Sequence, residues 1–254
     1  MFTGKIELST NDGEEFNYFN QAQNSEFEQQ RISEVLQVLL NSYRNGRESG
    51  LKLFDIGCGA GALLVKAREL GIEVSGCEIS ESAYSICKED LGLNVFLGLF
   101  ESLKIREEYD YITLFCVLAH VTDLDIFLSA IHEGLNENGV LYFHTPAFCL
   151  IDKVGIGLTS LPKIRYSNLL RRRINREHKR IFTEKSLNLL LVEHGFKVCD
   201  IKKTIGYGLS KRHYFLSLGF PRKIAIVLEK LLDLAETLRL VPRNVFSVYA
   251  QKVS

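Results

Sequence analysis

Asp55, Gly57, Cys58, Gly59 and Gly61, followed by Glu78 twenty-one positions after Gly57, have the residue types and spacing of a nucleoside site. Three glycines permit positive φ angles and bring the main chain against a bound molecule with no side chain in between. An acidic residue about 20 positions further on falls at the tip of the neighbouring strand, where it can accept both ribose hydroxyls. Ile79 would then cover one face of the base. The competing explanations are a tight turn that only packs helix on strand, and a solvated carboxylate at a strand end.

These groups need a strand, a turn and a helix to hold them. The run Leu51 to Ile56 carries little charge, as a strand buried on both faces of a parallel sheet does. ALLVKAREL then has apolar residues at helical spacing and stops at Gly71. IEVSGCEI reads as a second strand that carries Glu78 to its end. Strands are predicted near 51–56, 72–77, 93–97, 109–115, 139–145, 196–204 and 244–252, with helices alternating through the first five. That alternation argues for an α/β architecture whose parallel sheet is covered on both faces. Residues 25–43 predict a helix capped by Ser25, within an N-terminal helical cap over 1–45. Two regions exceed the plan: an insert at 147–180 and a helix at 221–239. An insert after strand five borders the ligand crevice, so 147–180 is expected to be a substrate lid. All 254 residues are expected to form one domain, 1–254.

The turn DIGCGAG departs from the GxGxxG of nicotinamide folds and resembles the first motif of class I S-adenosylmethionine-dependent methyltransferases. YDYITLFCVLAHVTDLDIFLSAIHEGLNENGVLYFHTPAF (109–148) is similar to the later half of that domain, and HKRIFTEKSLNLLLVEHGFKV (178–198) to the segment before its sixth strand. The likeness is to the small-molecule branch that includes ubiquinone-type O-methyltransferases, and it covers roughly residues 30 to 252.

The resemblance implies a Rossmann-like seven-stranded methyltransferase sheet of order 3-2-1-4-5-7-6 with strand seven antiparallel. It also implies S-adenosylmethionine as methyl donor, S-adenosylhomocysteine as product, and an oxygen, less often a nitrogen, as acceptor atom. The amides of Cys58 to Gly61 would face the cofactor's carboxylate, with Asp55 anchoring the turn or the ammonium, and Arg31 would reach the same carboxylate. Tyr18 would cover the cofactor from the chain's start. Leu99 and Phe100 stand where the family often has an acidic residue and a small one, so backbone groups there, or Glu101, would hold the adenine edge. Cys116 and the pair Ala119-His120 replace the branch's acidic residue and Glu-His pair at the tip of strand four. A lone histidine without a carboxylate neighbour is a poor hard-cation site, so no metal is expected.

Methyl transfer from a sulfonium is an in-line displacement whose leaving group needs no acid. The protein must align the nucleophile and remove its proton, a task suited to an imidazole. His120 and His178 are the candidates, and the alternative for His120 is a hydrogen bond to the loop before Asp123. His144, Tyr166 and Arg171 are candidate substrate contacts, while His132, His194 and His213 read as surface residues. Residues 163–180 hold eight Lys or Arg against one Glu, which suits an anionic acceptor carrying phosphate or carboxylate, or else a solvated helical face.

Charge balances to zero, so no global attraction to nucleic acid or membrane is implied. A small-molecule or glycan acceptor is the expected partner. Nucleic acid is not, although a tRNA-modifying enzyme remains an alternative reading. Another is a cofactor-binding protein of the same fold without turnover, and a third is a nicotinamide or flavin oxidoreductase. The basic run and the amphipathic helix at 221–239 together would suit weak contact with a membrane surface. Six scattered cysteines without a CxxC pair read as reduced core or pocket residues. With no leader pattern and no run of eighteen apolar residues, a cytoplasmic protein is expected.

Overall fold

The computed structural model describes residues 26–44, 50–148, 179–205, 211–217, 220–238, 240–241 and 243–253. Tyr18, Ser25, Tyr166, Arg171, His178 and positions 149–178 of the expected lid lie outside the described residues.

The described elements run α1 (Glu26–Arg44), β1 (Lys52–Ile56), α2 (Ala62–Glu69), β2 (Glu73–Glu78), α3 (Glu81–Ser85), β3 (Asn94–Leu97), β4 (Tyr109–Phe115), α4 (Leu124–Gly134) and β5 (Leu135–Pro146). They continue with α5 (Glu184–Glu193), β6 (Phe196–Thr204), α6 (Lys211–Ser217), α7 (Arg222–Thr237) and β7 (Val245–Lys252). The seven strands form one sheet in the order β3-β2-β1-β4-β5-β7-β6. β1 pairs in parallel with β2 and β4, while β7 runs antiparallel to β5 and β6. Strand order and the reversed seventh strand match the expectation.

Alternation along the strands explains why both faces are covered. Phe54, Ile112, Leu114, Leu141 and Phe143 point to one side, where Phe127, Leu128 and Ile131 of α4 and Leu187 and Leu191 of α5 meet them. Their neighbours Leu53, Tyr111, Phe115 and Tyr142 point to the other side, against Ile32, Val35 and Leu39 of α1 and Leu63, Leu64 and Ala67 of α2. Each fully buried aliphatic or phenyl side chain contributes about 1.5–3 kcal/mol, so the two cores fix the strand register.

Two details differ from the expected plan. Only a single 3-10 turn, Phe100–Ser102, stands between β3 and β4, where an alternating helix was expected. The link is short and takes left-handed backbone at Lys104 (φ 52°) and Glu107 (φ 42°), which breaks a helix. Meanwhile β5 begins at Leu135, before the expected 139, because Leu135 pairs with Tyr109 ahead of an irregularity in the ladder.

In open sheets of this kind ligands bind beyond the carboxyl ends of the strands, where the order reverses. Here β1 lies between β2 and β4, and the chain leaves it in opposite directions. The glycine turn, Glu78, the β3 tip and Cys116 all lie on that edge.

Candidate functional site

The turn after β1 must be glycine for two reasons. Gly57 and Gly61 have φ of 70° and 81°, a region that penalises side chains. A Cβ on Gly57 would also fall 2.7 Å from Val117 Cγ2, and one on Gly61 would fall 2.6 Å from Leu93 Cδ1. The turn is thus pressed between the loop after β4 and the approach to β3. Gly61 then starts α2, with its carbonyl accepting from the Val65 N–H at 2.9 Å.

The amides of this turn differ from expectation. Cys58 N–H donates to the Cys77 carbonyl (3.2 Å), Gly59 N–H to Glu78 Oε2 (2.8 Å) and Gly61 N–H to the Cys58 carbonyl (3.0 Å). They are turned into the protein, because a buried turn must satisfy its own N–H groups. Asp55 is also directed inward: its Oδ1 accepts the Thr113 hydroxyl at 2.7 Å, tying β1 to β4 at the base of the turn.

Three cysteines pack around the turn. The thiols of Cys58 and Cys87 both face the Gly59 carbonyl, at 3.8 and 3.2 Å. Hydrogen bonding with Cys87 and burial push the Cys58 thiol up, and burial pushes Cys77 up to about 12. Both stay protonated and act as small apolar groups.

Glu78 is 7% exposed, and its carboxylate is the hub of the site. Oε2 takes the Gly59 N–H, while Oε1 takes the amides of Ile79 (2.7 Å) and Ser80 (3.0 Å). A carboxylate offers about four acceptor positions, so three amides leave roughly one, on Oε2. Beside it Ile79 is 61% exposed, Leu97 47% and Leu99 49%, an apolar row at the tips of β2 and β3. Phe100 does not join that row. Its ring is buried edge-on against Phe54, with centroids 5.1 Å apart, so only its backbone is available to a ligand.

Across the crevice, Cys116 ends β4 with φ 59°, an uncommon conformation for a residue with a Cβ. Its N–H donates to the His144 carbonyl at 3.0 Å, which fixes the tip of β4 to β5. His120 follows, itself exposed, at the end of a turn closed by its own N–H to the Val117 carbonyl (2.8 Å), with Leu118 and Ala119 buried beneath it. Lys179 and Arg180 strap this loop: Lys179 N–H donates to the Ala119 carbonyl (2.8 Å), and Arg180 donates to the carbonyls of Val121 (2.7 Å) and Thr122 (3.2 Å).

His144 belongs to a buried network instead of an open substrate face. It is 2% exposed, and its Nε2 lies 3.1 Å from Tyr142 Oη and 3.0 Å from Ser247 Oγ. Tyr142 Oη donates to Glu34 of α1 at 3.3 Å, and burial together with Glu34 pushes this phenol up. Burial, aided by Arg31, lowers His144 to about 3, so its ring is neutral and its 3.8 Å approach to Glu34 is no ion pair. Arg31 stacks its guanidinium 4.0 Å from the Phe115 ring centroid. α1 is thereby fastened to the carboxyl ends of β4 and β5 and the amino end of β7.

Glu34, Thr113, Tyr142 and Ser247 were missed from the sequence. Their signal is weak but real: Tyr142 and His144 are alternate polar groups on one face of an otherwise apolar strand, which demands a buried partner. His132 and His194, expected at the surface, are half-buried. His132 stacks on Phe196, with centroids 5.4 Å apart, and fills the space beside Gly195, while His194 faces Asp125 at 3.2 Å. Among the described residues, no group of three or more His, Cys, Asp or Glu gathers as a metal site, and no helix is long and apolar enough to cross a membrane.

A family model described as a methyltransferase domain matches residues 25–201. The chain is similar to the ubiquinone biosynthesis O-methyltransferase of Bradyrhizobium diazoefficiens, 32% identical over 101 residues that span 38% of this chain and 40% of that protein. The chain thus spans about two fifths of the length of the curated relatives it matches. Among solved structures it resembles Haemonchus contortus phosphoethanolamine N-methyltransferase 2, in complex with phosphomonomethylethanolamine and S-adenosylhomocysteine (TM-score 0.63, 13% identity, 96% of this chain and 58% of that one). It also resembles magnesium protoporphyrin IX methyltransferase from Synechocystis PCC 6803 with bound SAH (TM-score 0.57, 15% identity, 95% of each chain). At such identities the structural likeness is one of fold.

Proposed function

This chain belongs to the methyltransferase domain family, and from that premise we propose that it moves a methyl group from S-adenosylmethionine to an oxygen of a small-molecule acceptor. The observation that carries the reading is the buried Glu78 carboxylate, which joins the glycine turn to the β2 tip through the amides of Gly59, Ile79 and Ser80. Its remaining acceptor position suits a ribose hydroxyl, and the exposed row of Ile79, Leu97 and Leu99 suits the face of a purine. The glycines at 57 and 61 let the turn pack closely enough on the loop after β4 and the approach to β3 to bring Gly59 to that carboxylate. When bound, the sulfonium supplies an electrophilic methyl group and a neutral thioether leaving group.

The chain's own residues then have two tasks. Cys116 and the loop through His120 close one side of the crevice and hold the acceptor in line, which can supply much of the rate. His120, exposed on that loop, takes the proton of the attacking hydroxyl. Oxygen as the acceptor atom rests on the names of the curated relatives. Small acceptors fit the same branch; an acceptor bearing phosphate or carboxylate depends on the basic run 163–180.

Calorimetry with S-adenosylmethionine and S-adenosylhomocysteine tests the binding half, and isotope-labelled methyl incorporation into hydroxyl-bearing acceptors tests the transfer half. Heat with both ligands and labelled ether product are expected. Folded protein that takes up neither ligand would overturn the reading, and binding without transfer to any acceptor would reduce the protein to a cofactor binder.

A further inference from the structure

α7 carries a face that nothing in the cofactor site uses. Ile224, Val227, Leu231 and Leu234 are 47–56% exposed in one row, and Leu238 (58%) and Leu240 (72%) extend it past the helix end. Spacings of three and four residues place them on one side, while Ala225 on the other side is fully buried. A row of this size left in water marks an interaction surface.

The charges of α7 are sorted between the two sides. Its acids are neutralised against α6: Glu229 lies 2.6 Å from Arg212, and Asp233 and Glu236 lie 2.7 and 2.5 Å from Lys211. Its bases Lys223 and Lys230 stay exposed beside the apolar row, and among the described residues they form no ion pair. What faces outward is therefore an apolar stripe with a basic edge.

That pairing decides the occupant. A symmetric contact with a second copy would bring Lys230, near the middle of the row, toward its own counterpart, and like charges oppose this. An anionic lipid surface satisfies both halves at once, with acyl chains for the leucines and headgroups for the bases. Position agrees as well. The α6–α7 pair leaves the sheet at Thr204 and returns at Asn244, whose N–H donates to the Thr204 carbonyl (2.9 Å) and whose carbonyl accepts from Ala147 (2.9 Å). This is the sheet edge at which β5 ends and the glycine turn opens.

We infer that the exposed face of α7 docks the protein on an anionic lipid surface, with Ile224, Val227, Leu231 and Leu234 at the acyl boundary and Lys223 and Lys230 at the headgroups. The inference is independent of which acceptor is methylated.

Co-sedimentation of the full chain with vesicles tests it, using phosphatidylcholine alone and equal parts phosphatidylcholine and phosphatidylglycerol. Binding to the anionic vesicles is expected, weakening with salt and absent from the neutral ones. Leu231→Asp with Leu234→Asp should lower it by more than about tenfold, and Lys223→Glu with Lys230→Glu by about tenfold or more. All four positions are exposed, so thermal melts should match the parent protein. Binding that is absent, indifferent to lipid charge, or unchanged in the charge-reversed variant overturns the inference. So does a dimer in light scattering that the leucine variant converts to monomer, which would give the face to a second copy.

Discussion

The two sides of the crevice are built in different ways. On the β1–β2 side the working groups are main-chain amides gathered by one carboxylate, Glu78, within a local stretch of chain. On the β4–β5 side they are side chains from distant elements: Arg31 and Glu34 of α1, Tyr142 and His144 of β5, and Ser247 of β7. The first design reads a ligand that never changes, because backbone geometry cannot drift with substitution. The second is a buried network that can be rebuilt one side chain at a time.

Removing the hub of the first side should have the largest effect. Glu78→Ala leaves the amides of Gly59, Ile79 and Ser80 without their acceptor and should cost about 3 kcal/mol or more in urea unfolding. Loss of a charged acceptor for ribose should weaken S-adenosylmethionine by roughly 100-fold in calorimetry. Glu78→Gln keeps one oxygen for Ile79 and Ser80 but turns an NH2 toward Gly59, so its losses should fall in between. Intact affinity in both variants would remove Glu78 from the cofactor site.

On the other side, His120→Ala should leave cofactor affinity alone and lower kcat by roughly 100-fold. His120 is exposed, and a thermal melt of the variant separates a loss of turnover from a loss of folding. An unchanged kcat would make it a loop residue and leave alignment by the β4 tip as the source of rate.

The same contrast governs how much could be read in advance. DIGCGAG and Glu78 reveal the first side because a glycine turn and a strand-tip carboxylate are local patterns, and the sheet order follows from the family they resemble. That the turn's amides would be spent on Cys77 and Glu78 could not be read, because the acceptors are supplied by a different strand. His144 could be assigned to an open face as easily as to the core, since its fate depends on Glu34 and Ser247, more than 100 residues away along the chain. Phe100, for which only backbone groups were expected at the ligand, packs its ring into the core against Phe54.

His144 also makes the second side sensitive to acid. Its folded value of about 3 lies below its unfolded 6.5, so the unfolded chain binds the proton first as pH falls. Stability is therefore full above about pH 6.5 and is lost toward pH 3, by roughly 1.4 kcal/mol per pH unit from this residue. His144→Phe removes the titration. The difference in unfolding free energy between parent and variant should tilt with pH over that window, and parallel curves would show that the ring is not held neutral.

The smallest effect should come from Arg31, the residue whose allegiance is contested. The family likeness sends it to the cofactor's carboxylate, while the structure lays its guanidinium on the Phe115 ring, 4.0 Å from the centroid. A stacked guanidinium stabilises by about 0.5–2 kcal/mol, so Arg31→Ala should lower stability by about that amount. Arg31→Lys keeps the charge but loses the planar stack, and it should recover little. Cofactor affinity separates the two assignments. If the stack is its role, both variants bind S-adenosylmethionine like the parent. A fall in affinity that Lys rescues would instead place the N-terminal helix on the cofactor side, and the division drawn between the two halves of the crevice would have to move.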